Sequence, residues 1–511
     1  MKKTRITALL LAVLMIFGVL FSCNTKKSEQ PQGEDKQNAT DSTAATDEGT
    51  TAEEKLLPDL PDDADFNGYV FTVLSHRENS DDWYEPIPRE IVAEVENAEE
   101  PINDAVYRRN AILKDKLNID FKIVDNADER STLNKVVKSG EDTYDAIIIF
   151  NNNVPGVITS NLLTNVSNLP YVDLSKPWWD AAVNSMSIAN KQFLLAGDLL
   201  ILDNEATNAL VFNKDLMMKL GIDLPYNLVV EGKWTMDKFI EYTKDASSDL
   251  NGDGLMKPED DQWGFVGYRD TLHALLVAGG GSLAVKDADD LPVMSITTPR
   301  NLTVIEKCMD IMYNKQVVLN IQSDIADGGA NSSNWLRIYH GCFEEDRALF
   351  MWVRMRVVEK FRGMESNFGI IPMPKFDEAQ DKYYSVVNPY TGVLLGVPKT
   401  AQDLERTSVI LEAMSAESRY TLQPAYYDVV LQRKFARDEE SSDMLDIIFG
   451  SNPLGSRVYD IGAVYAFGGV FIDFITLCNK NDRNVISYYE KRSGAMTKDI
   501  NKVITVFEDL D

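Results

Sequence analysis

Cysteine and histidine are scarce here, with four cysteines and three histidines in 511 residues. Cys308, Cys342 and Cys478 fall in the part expected to fold; three is an odd number, so no disulfide framework is implied and at most one bridge can form. His76, His273 and His340 leave little for histidine-based catalysis. The chain has no G-x-S-x-G elbow, no H-E-x-x-H helix and no G-x-x-x-x-G-K-[ST] loop, and Gly279-Gly280-Gly281 reads as a turn rather than a phosphate cradle. Positive charge is short as well. The 51 Lys plus Arg stand against 80 Asp plus Glu, a formal charge of −29 that argues against a nucleic-acid partner and leaves a solvated acidic surface as the plain reading. So many carboxylates guarantee acidic pairs, yet no spacing singles out the acid and nucleophile of a surface-anchored glycan hydrolase.

Long apolar runs are missing except at the start. Lys2, Lys3 and Arg5 precede the apolar stretch Ala8 to Phe21, which ends in Leu20-Phe21-Ser22-Cys23. That run is too short and wrongly flanked for a stable span, so 1–22 reads as an export signal. Its end resembles a bacterial lipobox, although Phe21 is bulkier than the residue usual there, and implies a lipidated Cys23 on the outer face of a membrane. The following stretch to about Lys55 is polar and nearly free of large apolar residues, a composition that stays disordered. It would act as a tether reaching a few tens of ångströms at roughly 5–6 Å times the square root of its length.

The remainder, from about Asp62, is too large for one hydrophobic core. Asn67-Gly68 signals a turn into the strand Tyr69 to Leu74. A helix capped by Asn103 and ended by Asn118, the strand Ile119 to Ile123, a second helix closed by Ser139-Gly140 and the apolar run Tyr144 to Phe150 complete an α/β lobe. The pattern returns in Thr207 to Phe212, the helix Lys214 to Leu220 with Gly221 as C-cap, the strands Ala348 to Met351, Asn367 to Ile371 and Val393 to Val397, and the helix Asp403 to Met414. Two α/β lobes joined by several crossings are expected, with 62–205 as the first lobe, 206–372 as the main part of the second and 373–511 returning to the first. A ligand then belongs at the carboxyl ends of the strands, in the cleft.

Several of these segments resemble the sugar-binding family of extracellular solute-binding proteins of ABC importers. They are Tyr144-Asp145 to Phe150 with Asn161-Leu162-Leu163; Phe212-Asn213-Lys214-Asp215-Leu216; Gly232-Lys233-Trp234-Thr235-Met236-Asp237; and the succession Arg347 to Met351, Phe368-Gly369 to Pro374 and Gly396-Val397-Pro398. The resemblance implies a two-lobed, type II periplasmic-binding-protein-like fold with a multi-crossing hinge, and a monomeric, membrane-anchored receptor. Such a receptor captures a small hydrophilic solute, above all a carbohydrate, and passes it to an ABC permease; a sensor lipoprotein of the same fold is the alternative. It places Asn151, Asn152 and Asn153 at the mouth of the cleft, His76 and Arg77 after the first strand, and Arg354 at another strand end. Asn388 and Tyr390 would stand before Val393. Trp352 is either a stacking face or core, Trp335 a candidate wall of the second lobe, and Trp178-Trp179 a packed helix start. Glu205 lies beside Ala206, where family members often carry an acid.

One segment signals a metal. Asp249, Asn251 and Asp253, followed by Gly254, the Leu255 carbonyl and Asp260, match the spacing of an EF-hand loop and would surround Ca²⁺ with oxygens to fix the loop.

Overall fold

The computed structural model describes residues 55–76, 89–93, 95–97, 99–321, 334–431 and 439–509. The leader, Cys23, nearly all of the tether and Arg77 lie outside the described residues, and so does the side chain of Trp335. No helix among the described residues is long and apolar enough to cross a membrane.

Strand and helix alternate through the first lobe because the apolar spacing changes from two to about 3.6 and back. Asn67 and Gly68 take the positive φ of 53° and 75° that turns the chain into β1 (Tyr69–His76). The helix Pro101–Leu117 starts ahead of Asn103, because Pro101 in its first turn presets φ and needs no N–H partner. Asn103 instead donates from Nδ2 to the Val95 carbonyl, 2.8 Å away. Left-handed Asn118 ends this helix and leads into β2 (Ile119–Asn126); the helix Glu129–Ser139, stopped by left-handed Gly140, leads to β3 (Ala146–Phe150). β1 pairs in parallel with β2 and β3. Every residue of β3 is buried: Ile147 and Ile149 face a cluster with Leu133 and Phe507, while Ile148 and Phe150 face one with Leu113 and Met414.

The second sheet collects β4 (Asn208–Asn213), β5 (Trp263–Gly267), β8 (Val318–Asn320), β9 (Ala348–Arg354) and β10 (Phe368–Ile371) in the order β10-β4-β9-β5-β8. A hairpin of β6 (Ala284–Lys286) and β7 (Pro292–Met294) stands apart from it. Aromatic rings fill one side of this lobe: Phe239 meets Phe265, Phe350 and Trp234 at centroid distances of 4.9, 5.3 and 6.0 Å. β11 (Tyr383–Val386) pairs in parallel with β13 (Gly455–Val458), while β12 (Val393–Gly396) returns to the first sheet.

The chain passes between the lobes through the short helix Leu202–Glu205 and again between β11 and β12. The two passages hold each other: Thr207 bridges Val387, and the Asn388 N–H donates to the Ala206 carbonyl at 2.9 Å. Each passage delivers one antiparallel strand, β4 against β9 and β12 against β3. Leu56–Asp511 packs as one compact unit.

Trp178 and Trp179 are core residues, and both donate their indole N–H to Glu412, at 2.9 and 2.7 Å. Cys308, Cys342 and Cys478 are buried and free, and burial raises each thiol's pKa, that of Cys342 to about 11. Arg109 is fully buried and donates to the Glu90 carbonyl (2.7 Å) and to Ser418 Oγ (3.1 Å). The Glu90 carboxyl is fully buried too, and neither of its oxygens has a hydrogen-bond partner.

Burial raises the Glu90 pKa from 4.5 to about 8. The unfolded chain therefore releases this proton before the folded one does, and stability falls as pH rises from 4.5 towards 8. Glu90→Gln should remove that fall, raising the melting temperature at pH 8 relative to wild type and leaving it nearly unchanged at pH 4.5. Parallel melting curves for the two proteins across this range would show that Glu90 is ionised in the fold.

Candidate functional site

The carboxyl ends of the parallel strands in both sheets converge on the crossing segments, and hydrogen bonds trace a continuous rim from one lobe to the other. In the first lobe, the Asn151 N–H donates to the Gly392 carbonyl at 2.9 Å. The intervening turn is built by Asn388, whose Oδ1 accepts from the Tyr390 and Thr391 N–H groups at 2.9 and 3.2 Å. Asn388 Nδ2 then donates to Asp270 Oδ2 of the second lobe at 3.2 Å. Beyond it, the Arg269 guanidinium lies 5.5 Å from the Tyr268 ring and 5.6 Å from the Tyr390 ring.

The sequence-derived candidates divide along this rim. His76 ends β1, where its Nδ1 is 3.0 Å from Glu129 Oε2 and its ring meets Phe150 edge-on at 4.6 Å. Asn153 donates from Nδ2 to the other oxygen of Glu129 at 2.6 Å, so one buried carboxylate fixes two candidates. Asn152 is exposed. Asn151 is fully buried with neither amide atom hydrogen-bonded, and a Cβ on Gly392 would come within 2.5 Å of its Nδ2, so only glycine fits opposite it. Arg354 ends β9 in register with Asn208, whose Oδ1 is also buried and unpaired. Asn388 serves as a turn-former and interlobe connector, while Tyr390 is half-buried on the rim, edge-on to Phe471 at 5.0 Å.

Trp352 is a correction. It is 1% exposed in the core of the second lobe, so its indole offers no stacking face at a strand end. Its neighbours explain this: β9 is buried on both sides, and the indole lies in a cluster with Tyr339, whose hydroxyl donates to the Trp352 carbonyl.

Tyr268, Arg269 and Asp270 were missed by sequence reasoning, because the strand before them is short and has glycine at two of its five positions. Position after a strand was the available signal, and it required recognising β5 first. Between the crossings and the second lobe lies another charged group. Arg89 donates to Glu205 Oε1 at 2.6 Å and to Glu359 Oε1 at 3.0 Å. A separate cavity of about 970 Å³ is lined by residues including Trp179, Asp203, Tyr427 and Arg457; no strand-end candidate lines it, so it is not part of this rim.

The metal motif forms a coil of its own. Asp249 accepts from the Gly252 and Gly254 N–H groups at 2.7 and 2.8 Å, Asn251 from that of Asp253 at 2.9 Å, and Asp253 from that of Leu255 at 2.8 Å. Gly252 and Gly254 supply the positive φ of 72° and 79°. Asp261 rather than Asp260 closes the loop: its buried carboxylate accepts from the Leu250 and Lys257 N–H groups at 2.9 and 2.7 Å. Asp260 is exposed, and the Lys257 ammonium pairs with Asp253. Among the described residues no three acid, histidine or cysteine side chains converge as a metal-holding group.

No family model matches the chain, and no curated protein matches it. Solved structures do. UspC of M. tuberculosis aligns with a TM-score of 0.53 at 14% identity, over 84% of this chain and all of that one. RafE from Streptococcus pneumoniae gives 0.50 at 15% identity, over 87% and 98% of the two chains. A cyclo/maltodextrin-binding protein complexed with maltotetraose gives 0.50 at 14% identity, over 86% and 96%. The fold is the two-lobed, type II periplasmic-binding-protein-like fold shared with these structures.

Because Trp352 is core, Trp352→Ala should cost about 3–5 kcal/mol of stability through the cavity it leaves. Urea denaturation measures this; a variant as stable as wild type would return Trp352 to the cleft wall.

Proposed function

We propose that the protein is a receptor, not an enzyme, that closes two lobes around a sugar or oligosaccharide and presents the closed form to an ABC permease. The observation that carries this reading is the wholly buried, unpaired amide of Asn151 at the strand end, with the Asn208 Oδ1 and Thr391 Oγ1 atoms also buried and unpaired along the crossings. Unpaired buried amides and hydroxyls cost about 1–3 kcal/mol each unless something hydrogen-bonds to them. A sugar supplies hydroxyls that both donate and accept, and its C–H faces suit rings such as that of Tyr390. The maltotetraose bound by the cyclo/maltodextrin-binding protein of this fold points the same way. The unpaired rim atoms are shut off from solvent in this arrangement, so the hinge at the paired crossings would open to admit the sugar and close again to complete their bonds. Cys23 would carry the lipid, and the polar stretch after it would hold the lobes off the membrane.

Thermal melting of the full chain in detergent, against maltotetraose, other glycans, amino acids and short peptides, tests the proposal. A sugar bound only by the folded protein should raise the melting temperature in a concentration-dependent way. Asn151→Leu should abolish that rise without lowering the melting temperature of the free protein. A rise with peptides and none with glycans would replace the sugar by another solute, and turnover of a glycan would replace the receptor by a hydrolase.

We also propose that Ca²⁺ binds the loop from Asp249 to Asp260. The oxygens of Asp249, Asn251 and Asp253 and the Leu255 carbonyl have the chemistry of hard-cation ligands; Ca²⁺ would draw those side chains off the backbone N–H groups they now accept from, turn Asp260 inward and displace the Lys257 ammonium from Asp253. Adding Ca²⁺ after chelation should then raise the melting temperature and lower the luminescence of Tb³⁺ bound at the loop by displacing it, and Asp249→Ala should remove both responses. Identical curves with chelator and with Ca²⁺ would leave the loop as a metal-free turn.

A further inference from the structure

The helix Leu202–Glu205 carries the chain out of the first lobe with acids on opposed flanks. Residues two apart on a helix point about 200° from one another, so Asp203 and Glu205 face opposite ways. On one flank Arg457 donates to Asp180 Oδ2 at 2.5 Å and to Asp203 Oδ2 at 2.6 Å, and it also contacts Asn204 Oδ1. On the other flank Arg89 Nη2 is shared between Glu205 Oε1 at 2.6 Å and Glu359 Oε1 at 3.0 Å, with Arg356 Nη1 at 3.7 Å from Glu205 Oε2.

These partners come from different lobes. Arg89 precedes Glu90, whose carbonyl accepts from Arg109 at 2.7 Å, and Ile91, which is buried with Phe71, Leu113 and Leu117 in the first lobe; Ile102 and Val106, at the other end of the helix carrying Arg109, reach the core of the second. Glu359 and Arg356 lie on the 3₁₀ segment Met355–Gly363 that leaves β9, anchored by Val358 and Phe361 in the core of the second lobe. The Arg89–Glu359 contact therefore spans the lobes. Glu205 is 5% exposed and Glu359 23% exposed, so solvent screens their attraction to Arg89 less than it would a surface pair.

We propose that Arg89, Glu205 and Glu359 form an interlobe latch that holds the lobes in their approached arrangement, while Arg457 with Asp180 and Asp203 forms the fixed clamp about which they part. The shared geometry makes the latch reversible. When the segment carrying Glu359 and Arg356 leaves, Arg89 keeps Glu205, so opening breaks the Arg89–Glu359 pair and the longer Arg356–Glu205 contact without stranding the Arg89 guanidinium. Arg457 has no such freedom, because it is 7% exposed and both of its acids would be left unpaired. The latch rests on the closing receptor proposed above, but its test needs no solute.

Nitroxide labels on the full chain, at Lys116→Cys of the first lobe and Met218→Cys of the second, report the interlobe distance by pulsed electron resonance. Both sites are exposed; Cys308, Cys342 and Cys478 are buried and stay unlabelled, and Cys23→Ser removes the remaining thiol. Glu359→Arg surrounds Glu205 with three guanidiniums and should raise the longer-distance population about three- to tenfold. Adding Arg89→Glu should restore the wild-type distribution. A distribution unchanged by Glu359→Arg, or one shifted but not restored by the second substitution, overturns the latch. If Glu359→Arg does not fold, Glu359→Gln decides: a shift to longer distance supports the latch and no shift overturns it. Sugar-dependent melting with no shift refutes the latch alone; a shift with no sugar response refutes the sugar receptor alone.

Discussion

The pairing of the two crossing segments is the constraint on which the rest of the molecule depends. Thr207 opposite Val387, with Asn388 bonded to Ala206, joins one chain passage to the other at the point where both sheets begin their antiparallel strand. β4 and β12 must then run against their neighbours, and the carboxyl ends of the parallel strands in both sheets are brought to the same junction. The rim from Asn151 through Asn388 to Asp270 follows from this arrangement. It consists of the groups that emerge from strand ends where backbone pairing stops, and there polar side chains must find partners outside the sheet.

Motifs were legible where they encode local rules. Asn213 in Phe212-Asn213-Lys214-Asp215-Leu216 caps the following helix by accepting from the Leu216 N–H at 2.8 Å, and Asp215 accepts from the Asn367 N–H at 2.9 Å. Thr235 caps the helix Met236–Lys244, while Trp234 donates from its indole to the Pro372 carbonyl at 3.1 Å. Gly369 faces the Phe212 ring and the Tyr226 hydroxyl so closely that a Cβ would come within 2.4 Å of each. The two caps are short-range demands, whereas the Asp215, Trp234 and Gly369 contacts lock motif residues against distant segments of the chain.

Long-range demands left weaker traces. β5 forms between β9 and β8; Trp263, Phe265 and Val266 suit a strand, but two glycines in five residues hide the signal. Gly264 within it reads as a breaker, yet a Cβ there would lie 2.1 Å from the Thr243 carbonyl oxygen, so the packing requires it. The residues after β5 were lost with it, and so was half of the rim. Trp352 failed for the opposite reason. A tryptophan near a strand end suggests a platform, but β9 continues to Arg354 and keeps the indole inside. The partner of Arg89 was likewise unreadable, since Glu359 is separated from it by 270 residues.

In the proposed receptor, the rim and the crossing helix would divide the work of recognition and movement by chemistry. Neutral groups at the strand ends, Asn151, Asn208 and Thr391, lose hydration at modest cost and regain it through any partner offering both donors and acceptors. Charged groups flank the crossing helix, where desolvation is costly and each ion must keep a counterion through any rearrangement. Asp203 and Glu205 each meet this with an arginine, and only Glu205 shares its arginine with the far lobe. In the proposed receptor, binding specificity and the energy of lobe closure would therefore vary independently: changing an amide would alter what the rim accepts, and changing Glu359 would alter how readily the lobes meet.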